Sequence, residues 1–178
     1  EVNDPTFGEE ILGKGVAIIP ADGKIYAPAD GRIELLFDTM HAVSMTTDDG
    51  VELLIHIGLE TGTLTGEHFT AHKATGDTVK KGDLLITVDL EAVKAAGFDV
   101  ITPMVVCNTG DYQAVEAVTG ADVEPGESVL KIKIEKSKRN PKPAPTAISD
   151  KNSLLIFPPG FPSCSFNNQT LPASMKTA

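Results

Sequence analysis

Four histidines are the side chains of this sequence best suited to chemistry near neutral pH. Two of them, His41 and His56, stand in informative settings. His56 lies in "VELLIHIGLETG", residues 51–62. Side chains alternate between faces in an extended strand, so Val51, Leu53, Ile55, Ile57 and Leu59 share an apolar face that belongs in a core. His56 then points the other way, with Glu52, Leu54 and Gly58. His41 lies in "FDTMHAVSM", residues 37–45, upstream of a "DDG" turn at 48–50. That turn predicts antiparallel pairing of 42–47 with 51–57, which carries His41 and His56 towards one end of a common ribbon. Thr39 shares a face with His41, so its hydroxyl reaches that ring and fixes a tautomer. The Gly58 carbonyl is placed to accept the Nδ1 proton of His56, which leaves the basic lone pair on Nε2. A neutral imidazole held this way is a nucleophile, and its neighbour can hold an anion.

Blander readings stand beside this one. A lone strand histidine is more often a surface or satisfied core residue. Zinc competes for the His41/His56 pair, since imidazole is a common ligand, but two histidines make an incomplete site and no third ligand follows at a recognisable spacing. His68 and His72, in "EHFTAHK", read as solvated strand positions without chemistry.

The elements that must hold these residues are short. Candidate strands are 16–19, 24–27, 32–37, 42–47, 51–58, 67–72, 84–89, 102–108 and 128–135, punctuated by "DG" turns at 22–23, 30–31 and 49–50. Two short helices are predicted. One covers 90–97, with Asp89 as N-cap and Gly97 as stop; the other covers 111–118, opening on Asp111 and ending before Gly120. Many short strands with two helical turns predict an all-β fold, an antiparallel β-sandwich or partly closed barrel. "GDTVKKGDLLITV" (76–88) and "GADVEPGESVLKIKI" (120–134) share a turn-plus-strand pattern in which the second glycine supplies a positive φ. The pattern reads as a duplicated motif or as two ordinary hairpins.

Composition narrows the function classes. The net charge is −10, without a long basic block, so nucleic acid is not the expected partner; an acidic body suits a basic protein instead. No apolar run reaches the length of a membrane span and no signal peptide opens the sequence, so a cytoplasmic protein is expected. Cys107 and Cys164 make neither a disulfide framework nor a zinc pair, and Cys107 reads as a small buried thiol. The character changes near Glu135. Residues 1–135 read as one domain; residues 136–178 hold seven of the twelve prolines and read as a linker or tail, with "SLLIFPPGF" its one apolar patch.

"GVELLIHIGLETG" resembles the signature of the IIA component of the glucose and N-acetylglucosamine branch of the bacterial phosphoenolpyruvate-dependent sugar phosphotransferase system. Every position from Gly50 to Thr61 matches; Gly62 stands where Val, Leu, Ile or Ala is usual. "GKGVAIIPADGKIYAPADGRI" (13–33), "FDTMHAVSM" (37–45), "KATGDTVKKGDLL" (73–85), "TPMVVCN" (102–108) and "VEPGESVLKIKI" (123–134) resemble the same family, in its order. The resemblance implies an antiparallel β-sandwich with Greek-key and jelly-roll features, built as a duplicated motif. It implies a phosphotransferase in which the histidine phosphocarrier protein gives a phosphoryl group to His56. A IIB cysteine then takes the group, and a membrane IIC domain couples it to sugar uptake. On the same grounds His41 bonds the phosphoryl oxygens, Thr39 orients His41, Gly58 is the backbone acceptor for His56, and Phe7, Phe37 and Leu54 form an apolar docking collar. No cofactor or metal is needed for this step. The family carries another strand or so ahead of the "VNDPTF" stretch, so either the sequence starts inside the domain or that strand is absent and an edge is left unpaired; the domain is expected alone or fused to IIB and IIC domains at the cytoplasmic face of the membrane. Two other classes remain open on the residues alone: a lipoyl- or biotinyl-like binding module, from the "GDTVKKGDLL" turn with Lys80 and Lys81, and a zinc metallopeptidase with a similar duplicated motif.

Overall fold

The computed structural model describes residues 12–124 and 126–133. Phe7 and the 136–178 segment lie outside the described residues. Eleven strands occur among them: β1 (Lys14–Ile18), β2 (Lys24–Tyr26), β3 (Gly31–Leu36), β4 (Ala42–Thr47), β5 (Glu52–His56), β6 (Phe69–Ala71), β7 (Thr78–Val79), β8 (Leu84–Val88), β9 (Thr102–Val106), β10 (Ala114–Ala117) and β11 (Leu130–Lys133). One α-helix, α1 (Leu90–Ala95), joins them; Asp89 caps it by accepting from the Ala92 N–H. The strands form a six-stranded sheet in the order β1-β9-β5-β4-β3-β7, a three-stranded sheet β2-β8-β6 and a two-stranded sheet β10-β11. Every pairing is antiparallel. The all-β expectation therefore holds.

Alternation builds the core. Val43 and Met45 of β4, Leu53 and Ile55 of β5, and Met104 and Val106 of β9 point to one face of the large sheet. They meet Ile25, Ile86, Val88 and Phe69 from the three-stranded sheet. Burying each such side chain contributes about 1.5–3 kcal/mol. The apolar face predicted for 51–59 is realised at Val51, Leu53, Ile55 and Ile57, all 7% exposed or less.

The predicted helix at 111–118 is not there. A short 3₁₀ turn (Thr109–Asp111) is followed by β10, whose residues pair with β11 from Ala114 opposite Lys133 to Ala117 opposite Leu130. Ala and Glu make this segment a fair helix former, but local preference is worth only tenths of a kcal/mol per residue, and ladder pairing with a distant strand outweighs it. In the suspected repeat, the second glycine of each copy does turn left-handed: Gly82 at φ 88 and Gly126 at φ 96.

Candidate functional site

The β4–β5 hairpin places both histidines. Its turn closes through Thr47 N–H to the Val51 carbonyl (2.9 Å) and Gly50 N–H to the Thr47 carbonyl (2.8 Å). This sets the register, with Val43 opposite Ile55 and Ala42 opposite His56. One residue further on, the Ile57 N–H donates to the His41 carbonyl at 2.8 Å. The two imidazoles meet edge to face, ring centroids 4.8 Å apart and planes at 75°.

Each ring is held from behind. His56 Nδ1 lies 2.7 Å from the Gly58 carbonyl oxygen. A carbonyl only accepts, so Nδ1 carries the proton and the basic lone pair of the neutral ring is on Nε2. Gly58 turns this carbonyl back with φ 74. A side chain there would run into Thr61 Cγ2 at 2.5 Å and the Asp99 carbonyl at 2.6 Å. His41 Nδ1 is hydrogen-bonded to Thr39 Oγ1. The pairing was predicted from a shared strand face, yet residues 38–41 form a turn. Met40 takes a left-handed φ of 53, and its N–H bonds the Phe37 carbonyl at 2.8 Å. A non-glycine residue in that region costs about 1–3 kcal/mol, strain of the kind that collects at functional sites.

Burial, and then the neighbouring His56, push the pKa of His41 down from 6.5 to about 4. His41 is neutral at pH 7. The unfolded chain takes up the His41 proton near 6.5 and the folded chain only near 4, so the unfolded state binds more protons between those values. Stability therefore falls as pH drops through that window. The urea midpoint should decrease between pH 7 and pH 5, and His41→Gln should flatten that slope. An unchanged slope in the variant would show that His41 does not titrate this way.

Of the predicted collar, Phe37 packs edge-on against His41 with ring centroids 5.4 Å apart. Leu54 is 2% exposed and offers a partner no surface here. It shares the outward face of β5 with His56, between its register partners Ser44 of β4 and Val105 of β9. His68 and His72 are exposed; His72 Nε2 is hydrogen-bonded to Thr87 Oγ1 at 2.7 Å. Cys107 is half-buried just past β9, its N–H on the Glu52 carbonyl at 2.8 Å.

Two neighbours of the site had no role in the reading of residue types. Thr61 is fully buried, and its hydroxyl donates to the Ile57 carbonyl, pinning the Thr61–Leu64 3₁₀ turn beside the histidines. Gly62, in that turn, lies against the His41 ring. Their positions at the end of the signature stretch were the available signal.

Comparison with known proteins identifies the family of the chain. Residues 1–112 match the family model described as phosphoenolpyruvate-dependent sugar phosphotransferase system, EIIA 1. The PTS system glucose-specific EIIA component of Halalkalibacterium halodurans is 45% identical over 136 residues, 76% of this chain and 79% of that one. The PTS system beta-glucoside-specific EIIBCA component of Bacillus subtilis (strain 168) is 46% identical over 130 residues, 73% of this chain; the match spans only 21% of that protein. Among solved structures, the glucose permease IIA from Mycoplasma capricolum superposes with a TM-score of 0.68 at 37% identity, covering 73% of this chain and 84% of that one. The hairpin with its paired histidines thus sits in a chain that belongs to the EIIA 1 family of the phosphoenolpyruvate-dependent sugar phosphotransferase system.

Proposed function

We propose that this chain is a phosphoryl carrier whose acceptor atom is Nε2 of His56. The observation that carries the reading is the His56 ring locked by Gly58, with a neutral His41 ring 4.8 Å away. The lone pair on Nε2 attacks phosphorus in line, and the P–N bond to the donor phosphohistidine breaks, returning its electron pair to the donor ring. In the second step a cysteine thiolate of a IIB domain attacks phosphorus, and the pair of the breaking P–N bond returns to His56 Nε2. Little covalent assistance is needed, so the protein contributes positioning and charge stabilisation. His41 donates Nε2–H to a phosphoryl oxygen while its Nδ1 accepts from the Thr39 hydroxyl. The arriving negative charge favours the protonated form of His41, which strengthens the Nε2–H bond to the phosphoryl oxygen and makes Nδ1 the donor to Thr39 Oγ1.

The donor in this reading is the histidine phosphocarrier protein, and the acceptor is a IIB domain working with a IIC permease. Relatives are named for glucose, beta-glucosides and glucosamine. The proposed site exchanges phosphate with proteins and never meets the sugar, so one geometry serves all three. No helix among the described residues is long and apolar enough to cross a membrane; we place the site on the cytoplasmic side, where phosphoenolpyruvate is available. The carrier domain in this reading ends near residue 135. Incubation with phosphoenolpyruvate, enzyme I and the phosphocarrier should add the mass of one phosphoryl group, labile to acid. No mass gain would reject the proposal, and a lysine-linked cofactor adduct on the isolated protein would favour the binding-module reading.

A further inference from the structure

The hydrogen bond that fixes the His56 tautomer ends on a residue that does not hold itself in place. Gly58 accepts from His56 Nδ1 at 2.7 Å, with φ 74. Glycine enters that region no more readily than several others, so the direction of its carbonyl is imposed by neighbours. A residue's torsions set the angle between the two peptide planes that meet at its α-carbon. Both planes at Gly58 are anchored. The plane after it is held by the Leu59 N–H, which donates to the Asp99 carbonyl at 3.0 Å. Asp99 is steadied in turn by its carboxylate, which accepts from the Ile101 N–H at 2.9 Å. The plane before it is held at the Ile57 carbonyl, which accepts from the Thr61 hydroxyl. A left-handed Glu60, φ 59, brings Thr61 back to this carbonyl, a strained conformation that persists only where its surroundings over-determine it. Thr61 is fully buried and Ile57 is 1% exposed, so water does not replace this bond if the hydroxyl is removed.

We propose that Thr61 is a positioning residue for His56: its hydroxyl sets the Ile57–Gly58 peptide, that peptide aims the Gly58 carbonyl at His56 Nδ1, and the carbonyl keeps the attacking lone pair on Nε2. This rests on His56 as the phosphoryl acceptor. A neutral imidazole has two tautomers, and the partner of one nitrogen decides which the ring adopts. Without the hydroxyl, the Gly58 peptide pivots on its bond to Asp99 and the contact to Nδ1 loosens. Part of the population then carries its proton on Nε2, where the ring has no lone pair to offer phosphorus. Thr61 acts through the backbone and not on the phosphoryl group.

The test compares two variants of the full chain. Thr61→Val keeps the shape and loses the donor; Thr61→Ser keeps the donor and loses the methyl. Two readouts are taken on each: the ¹⁵N signals of the neutral His56 ring, and the rate of phosphate uptake from the phosphorylated phosphocarrier per folded protein. The unsubstituted protein should show Nδ1 protonated and Nε2 basic. Thr61→Val should move both ¹⁵N signals towards mixed-tautomer values and slow uptake about tenfold. Thr61→Ser should keep the original pattern and an uptake rate within about twofold. An unchanged ¹⁵N pattern or unchanged uptake in Thr61→Val would overturn the proposal. So would a Thr61→Ser as impaired as Thr61→Val, since the methyl and not the hydroxyl would then matter. If Thr61→Val does not fold, Thr61→Ser decides: tautomer and rate retained support the role of the hydroxyl, and their loss overturns it. The tautomer is read without phosphate, so the two readings fail separately. Phosphate uptake by His56→Gln rejects the site assignment, whereas an inert His56→Gln beside an unaltered Thr61→Val rejects only the role of Thr61.

Discussion

His56→Gln is expected to take up no acid-labile phosphate from the phosphocarrier, a loss of more than about 10⁴-fold. The amide nitrogen of glutamine has no available lone pair, because it is delocalised into the carbonyl, so the attacking atom is removed. The fold should survive. The glutamine amide can still donate to the Gly58 carbonyl that now accepts from His56 Nδ1. The position is only half-buried, at the end of β5, so no large cavity opens. Circular dichroism and the urea midpoint check folding; labelled phosphoenolpyruvate with the upstream carriers checks uptake. Labelling at the normal rate would show that another residue accepts the phosphate.

His41→Gln is expected to separate the two half-reactions. Onward transfer to a IIB domain should fall about 10²–10³-fold, the usual cost of removing one donor aimed at developing charge. Uptake should fall less, since glutamine can still donate a neutral hydrogen bond to the product phosphoryl group. It cannot be protonated, however, and so cannot supply the positive charge that phosphate draws out of His41. Near wild-type rates in both directions would rule the role out. The two variants also behave differently with pH. Only His41→Gln removes the group whose pKa is pushed down to about 4 by burial and by His56.

Much of the site was legible because its contacts are local or fixed by one turn. The His56–Gly58 bond spans two residues of a single strand end. The approach of His41 to His56 follows from the hairpin register that Gly50 and Thr47 set. The Thr39–His41 contact was expected for a different reason from the one that makes it. Alternation along a strand suggested it, whereas a left-handed Met40 produces it, and no pattern of apolar residues announces such a turn.

The sequence by itself determined the alternating core strands, the hairpin and the identity of the two histidines, since each depends on period-two patterning or on a short turn. Tertiary structure decided what depends on partners far along the chain. The 114–117 segment became a strand because β11 pairs with it, against a local preference too weak to resist. Leu54, which alternation alone sets on the outward face of β5, is buried in the assembled fold. His41 became hard to protonate because folding removes it from water and sets a second imidazole beside it. Gly62 acquired its bearing on His41 only when a loop twenty residues downstream, pinned through Thr61, closed over the ring. Desolvation and steric contact are properties of an assembled surface, and residue order records them only through the fold it produces.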